Sequence, residues 1–74
     1  MTEKEFLEFV AGVIGVPAER LTLATAYGAL PEWDSVMHLR LIMEVAERYG
    51  AEIAIDEMPR IKTLGEFYRL ANRV

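Results

Sequence analysis

A chain of 74 residues without cysteine has room for one small domain, and that domain must be held by an apolar core rather than by disulfides or thiolate-bound metal. Apolar residues make up 53% of it against only three prolines, which excludes a disordered tail and supplies one compact core. The net charge is −4 and unevenly placed: Glu32 to Glu57 hold seven acids and two arginines, and Arg60 to Val74 hold four bases and one acid.

The acidic middle repels phosphate backbones, so a partner with a basic face is expected rather than nucleic acid; the other reading is that these charges merely solvate the surface. No uninterrupted apolar run approaches the roughly 18 residues of a membrane span. The start, Met1 to Phe6, is polar and acidic rather than signal-like. A cytoplasmic location without membrane association is therefore the expectation.

The first helix is well marked. Thr2 and Glu5 have the spacing of a capping box, and Met1 and Phe6 occupy the two positions of a hydrophobic staple. Phe6, Phe9, Val10, Val13 and Ile14 recur at helical spacing, and Gly15 followed by Pro17 supplies the stop, which predicts a helix over Glu3 to Ile14. Val16 to Asp34 has no sustained period and contains Pro17, Gly28 and Pro31. A connection longer than ~15 residues is uncommon in a compact domain. Leu21, Leu23, Tyr27, Leu30 and Trp33 give this one apolar anchors, so it is expected to be an ordered loop packed on the bundle.

The second helix is predicted from Asp34 or Ser35, either of which can cap, to Gly50. At ~100° per residue, Leu41, Val45, Tyr49, Ile42, Ala46, Leu39, Met43 and Val36 fill an apolar arc of roughly 220°. An arc that wide predicts a central helix covered on more than one side, with Arg40, Glu44, Glu47 and Arg48 on the solvent strip. Met37 falls on that strip one turn from Ser35, either as a partner contact or as an incidental exposed side chain.

Ala51 to Ile55 has room for a brief extended segment, and Asp56 to Arg60 only for a short helical turn because of Pro59. Thr63 and Glu66 have the spacing of a second capping box, followed by the apolar face Leu64, Phe67, Tyr68, Leu70, Ala71 and Val74 of a last helix. The expected fold is all-α, a small four-helix bundle of three main helices plus a short third one, forming a single domain over 1–74.

Few residues can carry chemistry. Ser35 and His38 lie on one helical turn, but no oxyanion loop or metal-ligand spacing accompanies them, so an enzyme is not expected and His38 reads as a rim or surface residue. By itself, a serine at the head of a helix is an N-cap. Its context adds a second reading. The stretch LPEWDSVMHLRLIMEVAERYG follows the long loop, opens the most apolar helix and is followed by IDEMPRIKTLGEF.

That arrangement resembles the acyl carrier protein family, whose attachment motif is Asp-Ser-Leu or Asp-Ser-Met at the head of the second helix, and the resemblance covers nearly the whole chain. It implies that Ser35 is modified by a phosphopantetheinyl transferase using coenzyme A and magnesium, leaving a covalent 4′-phosphopantetheine arm, with Asp34 as flanking recognition residue. It further implies an acyl- or aminoacyl-activating ligase that loads the arm, a downstream synthase or transferase that unloads it, and no catalytic activity in the carrier.

Val36 stands where Leu or Met is usual in this family, and Met37 and Arg40 occupy places commonly acidic in fatty-acid carriers. The triplet Trp33-Asp34-Ser35 with His38-Leu39 looks more like discrete carriers of aminoacyl, peptidyl or specialised acyl pathways; the oligomeric state is open, though a small carrier that must visit several enzymes is most useful as a monomer. The expected partner surface comprises Val36, Met37, Arg40, Glu44, Glu47, Asp56 and Glu57. The alternative is an unmodified interaction module using the acidic face of the second helix. Physical logic also favours an anion at this place, since a phosphodiester on Ser35 would sit near backbone N–H groups and the positive end of the helix dipole. The wide apolar arc of the second helix is either a packed core or shelter for a short acyl chain.

Overall fold

The computed structural model describes residues 2–72. It contains three α-helices, α1 (Glu3–Ile14), α2 (Ser35–Tyr49) and α3 (Leu64–Ala71), with single 3₁₀ turns at Ala18–Arg20 and Met58–Arg60. Among the described residues there is no strand, only an isolated antiparallel bridge between Ala26 and Thr63. The architecture is thus a mostly helical three-helix assembly. The expected short third helix is one 3₁₀ turn, because three residues with Pro59 among them are too few to propagate an α-helix. Ala51 to Ala54 is irregular rather than a strand, and turns follow it.

Local signals set the helix limits. The Thr2 hydroxyl accepts the Glu5 N–H at 3.1 Å while the Glu5 carboxylate accepts the Thr2 N–H at 3.4 Å, so both halves of the capping box form. Gly15 and Gly50 end α1 and α2 at φ 89° and 65°, a left-handed conformation that glycine adopts without a Cβ penalty. The box on α3 is modified: Thr63 caps Glu66, but the Glu66 carboxylate accepts the N–H of Lys62 at 3.3 Å rather than that of Thr63. The expected staple at Met1 and the apolar position Val74 lie outside the described residues.

Trp33, Phe6, Phe67, Leu41, Leu64, Val10 and Val45 form the fully buried centre. Trp33 comes from the long loop, so that connection is a structural part of the core. The loop is also tied to the start of α3 by its backbone. The carbonyls of Leu23 and Thr25 accept the N–H groups of Gly65 and Leu64 at 2.8 and 3.0 Å, and the Tyr27 N–H reaches the Lys62 carbonyl at 2.7 Å. Donors that the first turn of a helix leaves unbonded are thereby satisfied.

The wide apolar arc of α2 is not covered as expected. Only Leu41, Ile42 and Val45 are buried, while Val36, Leu39 and Met43 are 77%, 53% and 63% exposed. Met37, expected on the solvent strip, is instead half-buried and packs against the core. The reason is the neighbours. α1 and α3 contact α2 and cover one sector of it, leaving the Val36–Leu39–Met43 side largely open to solvent.

Candidate functional site

Asp34 and Ser35 divide the work at the head of α2. Asp34 is the N-cap, with extended backbone, and its Oδ1 accepts the Met37 N–H at 2.9 Å. The first helical position therefore falls on Ser35, which is exposed and whose hydroxyl makes no hydrogen bond within the described residues. This settles which of the two caps. Because the carboxylate satisfies the orphan donor, the hydroxyl stays available on a rigid element, beside the outward-facing first N–H groups and the positive end of the helix dipole. A phosphodiester on Ser35 Oγ fits this position, since it would face donors rather than acceptors.

Ser35 stands on the rim of a groove of about 570 Å³ between the long loop, α2 and the 3₁₀ turn before α3. Its walls are mainly apolar, with Tyr27 on the loop side, Leu39 and Ile42 on α2, and Met58 and Ile61 opposite; Lys62 supplies the cation.

His38, expected as a rim or surface residue, does more than solvate. Its Nδ1 accepts the indole N–H of Trp33 at 3.1 Å. Its ring stacks on Tyr27 at a centroid distance of 4.6 Å and meets Phe67 edge-on at 5.7 Å. An indole N–H can only donate, so Nδ1 must carry the lone pair and the ring proton belongs on Nε2. Burial holds the imidazole pKa below its usual 6.5, and the backbone of Met58 and Ile61 opposes that shift by favouring the protonated ring. The sequence offered one signal for this cluster, a lone Trp and a lone His five residues apart across a helix start, with an aromatic residue upstream.

The seven residues expected to face partners do not form one surface of free charges. Val36, Arg40 and Glu47 are exposed along α2 with Leu39 and Met43 between them. Arg40 lies 3.9 Å from Glu44 in a solvent-exposed i,i+4 pair, a contact of small energetic weight. Met37 is withdrawn toward the core. Asp56 is exposed, whereas Glu57 is half-buried and accepts the Ala54 N–H at 3.1 Å, so its carboxylate serves the local turn.

The family model for the phosphopantetheine attachment site matches residues 4–71. The chain belongs to that family, whose members carry 4′-phosphopantetheine covalently and serve generally as carriers rather than catalysts. Curated proteins and solved structures gave no match. No helix among the described residues is long and apolar enough to cross a membrane.

Proposed function

We propose that Ser35 is the attachment residue and that the chain, as one unit over 1–74, holds an acyl or aminoacyl group in a specialised acyl, aminoacyl or peptidyl pathway. The observation that carries this reading is the exposed, uncommitted Ser35 hydroxyl at the first position of α2, with Asp34 already bonded as the cap. When bound, the phosphopantetheine supplies a thiol on a flexible tether, on which cargo is held as a thioester. The protein's own residues position and accept. Ser35 Oγ would give up its proton to a base on the transferase and bond to the pantetheine-side phosphorus of coenzyme A as that pyrophosphate bond breaks and adenosine 3′,5′-bisphosphate leaves, and the N-terminal N–H groups of α2 would stabilise the phosphodiester anion.

Asp34 acts in this reading both as cap and as a recognition feature for the phosphopantetheinyl transferase. Val36, Arg40, Glu44, Glu47 and Asp56, with smaller roles for Met37 and Glu57, form the docking side for that transferase, for the activating ligase and for the downstream synthase or transferase. The working form is a monomer in the cytoplasm, free to visit each enzyme.

Mass measurement tests the attachment. Incubation with coenzyme A, magnesium and a broad-specificity phosphopantetheinyl transferase is expected to add one phosphopantetheine to the chain and none to Ser35→Ala. An unchanged mass, or a gain that persists in the variant, would overturn the assignment. Docking is tested by charge reversal: Glu44→Lys with Glu47→Lys should slow modification several-fold at low salt and much less at high salt, because exposed charges tune encounter rate and are screened.

A further inference from the structure

We propose that His38 is a positioning residue whose neutral Nε2–H form ties Trp33 to α2 and so holds the wall of the groove beside Ser35, and that protonation of its imidazole releases that wall. The use of the groove rests on the carrier reading above; the latch itself does not. Three segments converge on this ring. The long loop supplies the Trp33 N–H and the stacked Tyr27 ring, α3 supplies the edge of Phe67, and the backbone of Met58 and Ile61 faces it from the 3₁₀ turn and the residue after it.

The geometry makes the ring two-state. A proton arriving from solvent at Nδ1 would turn the acceptor into a donor pointing at the indole N–H, so the Trp33 bond at 3.1 Å cannot coexist with imidazolium. Burial resists that proton and the backbone of Met58 and Ile61 favours it, while nearby positive charge adds to the resistance. Lys62 lines the same groove, and the positive end of the α2 dipole lies one turn away. The Asp34 carboxylate at the head of α2 acts in the opposite sense, but it is committed to the Met37 N–H. The phenol of Tyr27 and the hydroxyl of Ser35 also border the groove. Aromatic contacts with Tyr27, Trp33 and Phe67 hold the ring in place without offering it a counter-charge.

The chain contains one histidine and one tryptophan, so each reports alone. On the unmodified protein, long-range nitrogen NMR at pH 8 should show the Nε2–H tautomer. On acidification the ring should titrate with a midpoint below 6.5, the ordinary value. Trp33 emission and the amide resonances of Tyr27, Met58 and Lys62 should move with the same midpoint, while those of Glu8 and Ala11 in α1 stay fixed. His38→Asn, which places an untitratable oxygen near the Nδ1 position, should abolish the emission change over this range.

An Nδ1–H tautomer, emission that ignores the ring titration, a change confined to His38 alone, or an emission change persisting in His38→Asn would each overturn the proposal. Should His38→Asn lose its helical circular dichroism, Trp33→Phe serves instead. Removing the donor while keeping an aromatic ring must raise the His38 midpoint, and an unchanged midpoint sinks the latch. None of these readouts requires modification of Ser35, so the attachment and the latch fail or stand separately.

Discussion

Asp34 caps α2 and is proposed as a recognition residue, and two substitutions pull these roles apart. Asp34→Asn retains an oxygen that accepts the Met37 N–H, whereas Asp34→Ala removes it. Urea denaturation should therefore show Asp34→Ala less stable by about 1 kcal/mol and Asp34→Asn within a few tenths of the parent. If the transferase reads the charge, Asp34→Asn loses modification rate while keeping stability; if the cap alone matters, its rate stays near the parent's. Ser35→Ala should change stability by no more than about 0.5 kcal/mol, since the hydroxyl it removes has no protein partner among the described residues.

Among the elements, two helical glycines make contrasting predictions. Gly12 sits in the exposed interior of α1 with nothing within 4 Å of the place a Cβ would take, so Gly12→Ala should stabilise the protein by about 0.5–1 kcal/mol through helix propensity. Gly65 opens α3 under the long loop, and a Cβ there would lie 3.0 Å from the Leu23 carbonyl oxygen, the same atom that accepts the Gly65 N–H. Gly65→Ala should consequently give no comparable gain and should lower the thermal midpoint if Leu23 cannot retreat. Parallel thermal denaturation of the two variants checks the contrast, and equal stabilisation would mean that the loop yields freely. On α2, the exposed line Val36, Leu39 and Met43 shows that a helix can be apolar over a wide arc and still be covered on one sector only.

For the molecule as a whole, Trp33 links the loop to the core. Its side chain is 1% exposed and touches the rings of Tyr27, His38 and Phe67. Trp33→Ala should cost about 3–5 kcal/mol, a large share of what so small a domain possesses, and leave much of the chain unfolded by circular dichroism at 37 °C. Stability should also depend on pH through His38. The folded state holds the imidazole pKa below 6.5, so between the two values the unfolded chain binds more protons. The His38 contribution is thus complete above pH 6.5 and is lost as pH falls through the folded value. The drop in thermal midpoint from pH 7.5 to 5.5 should be smaller in His38→Asn than in the parent; an equal drop would assign the dependence to other groups.

The limits of α1, the end of α2, the start of α2 to within one residue, and the start of α3 were readable in the sequence because each depends on contacts within three or four residues: Thr2 with Glu5, Asp34 with Met37, Thr63 with Glu66, and glycines that follow the helices at Gly15 and Gly50. The motif Asp34-Ser35 likewise raised the attachment proposal without a fold. Tertiary structure alone decided which sector of α2 is buried, why Gly65 stands under Leu23, and that His38 accepts from Trp33. Periodicity gives the direction in which a side chain leaves its helix, but only the approach of other segments determines whether that direction meets water, a backbone carbonyl or an indole.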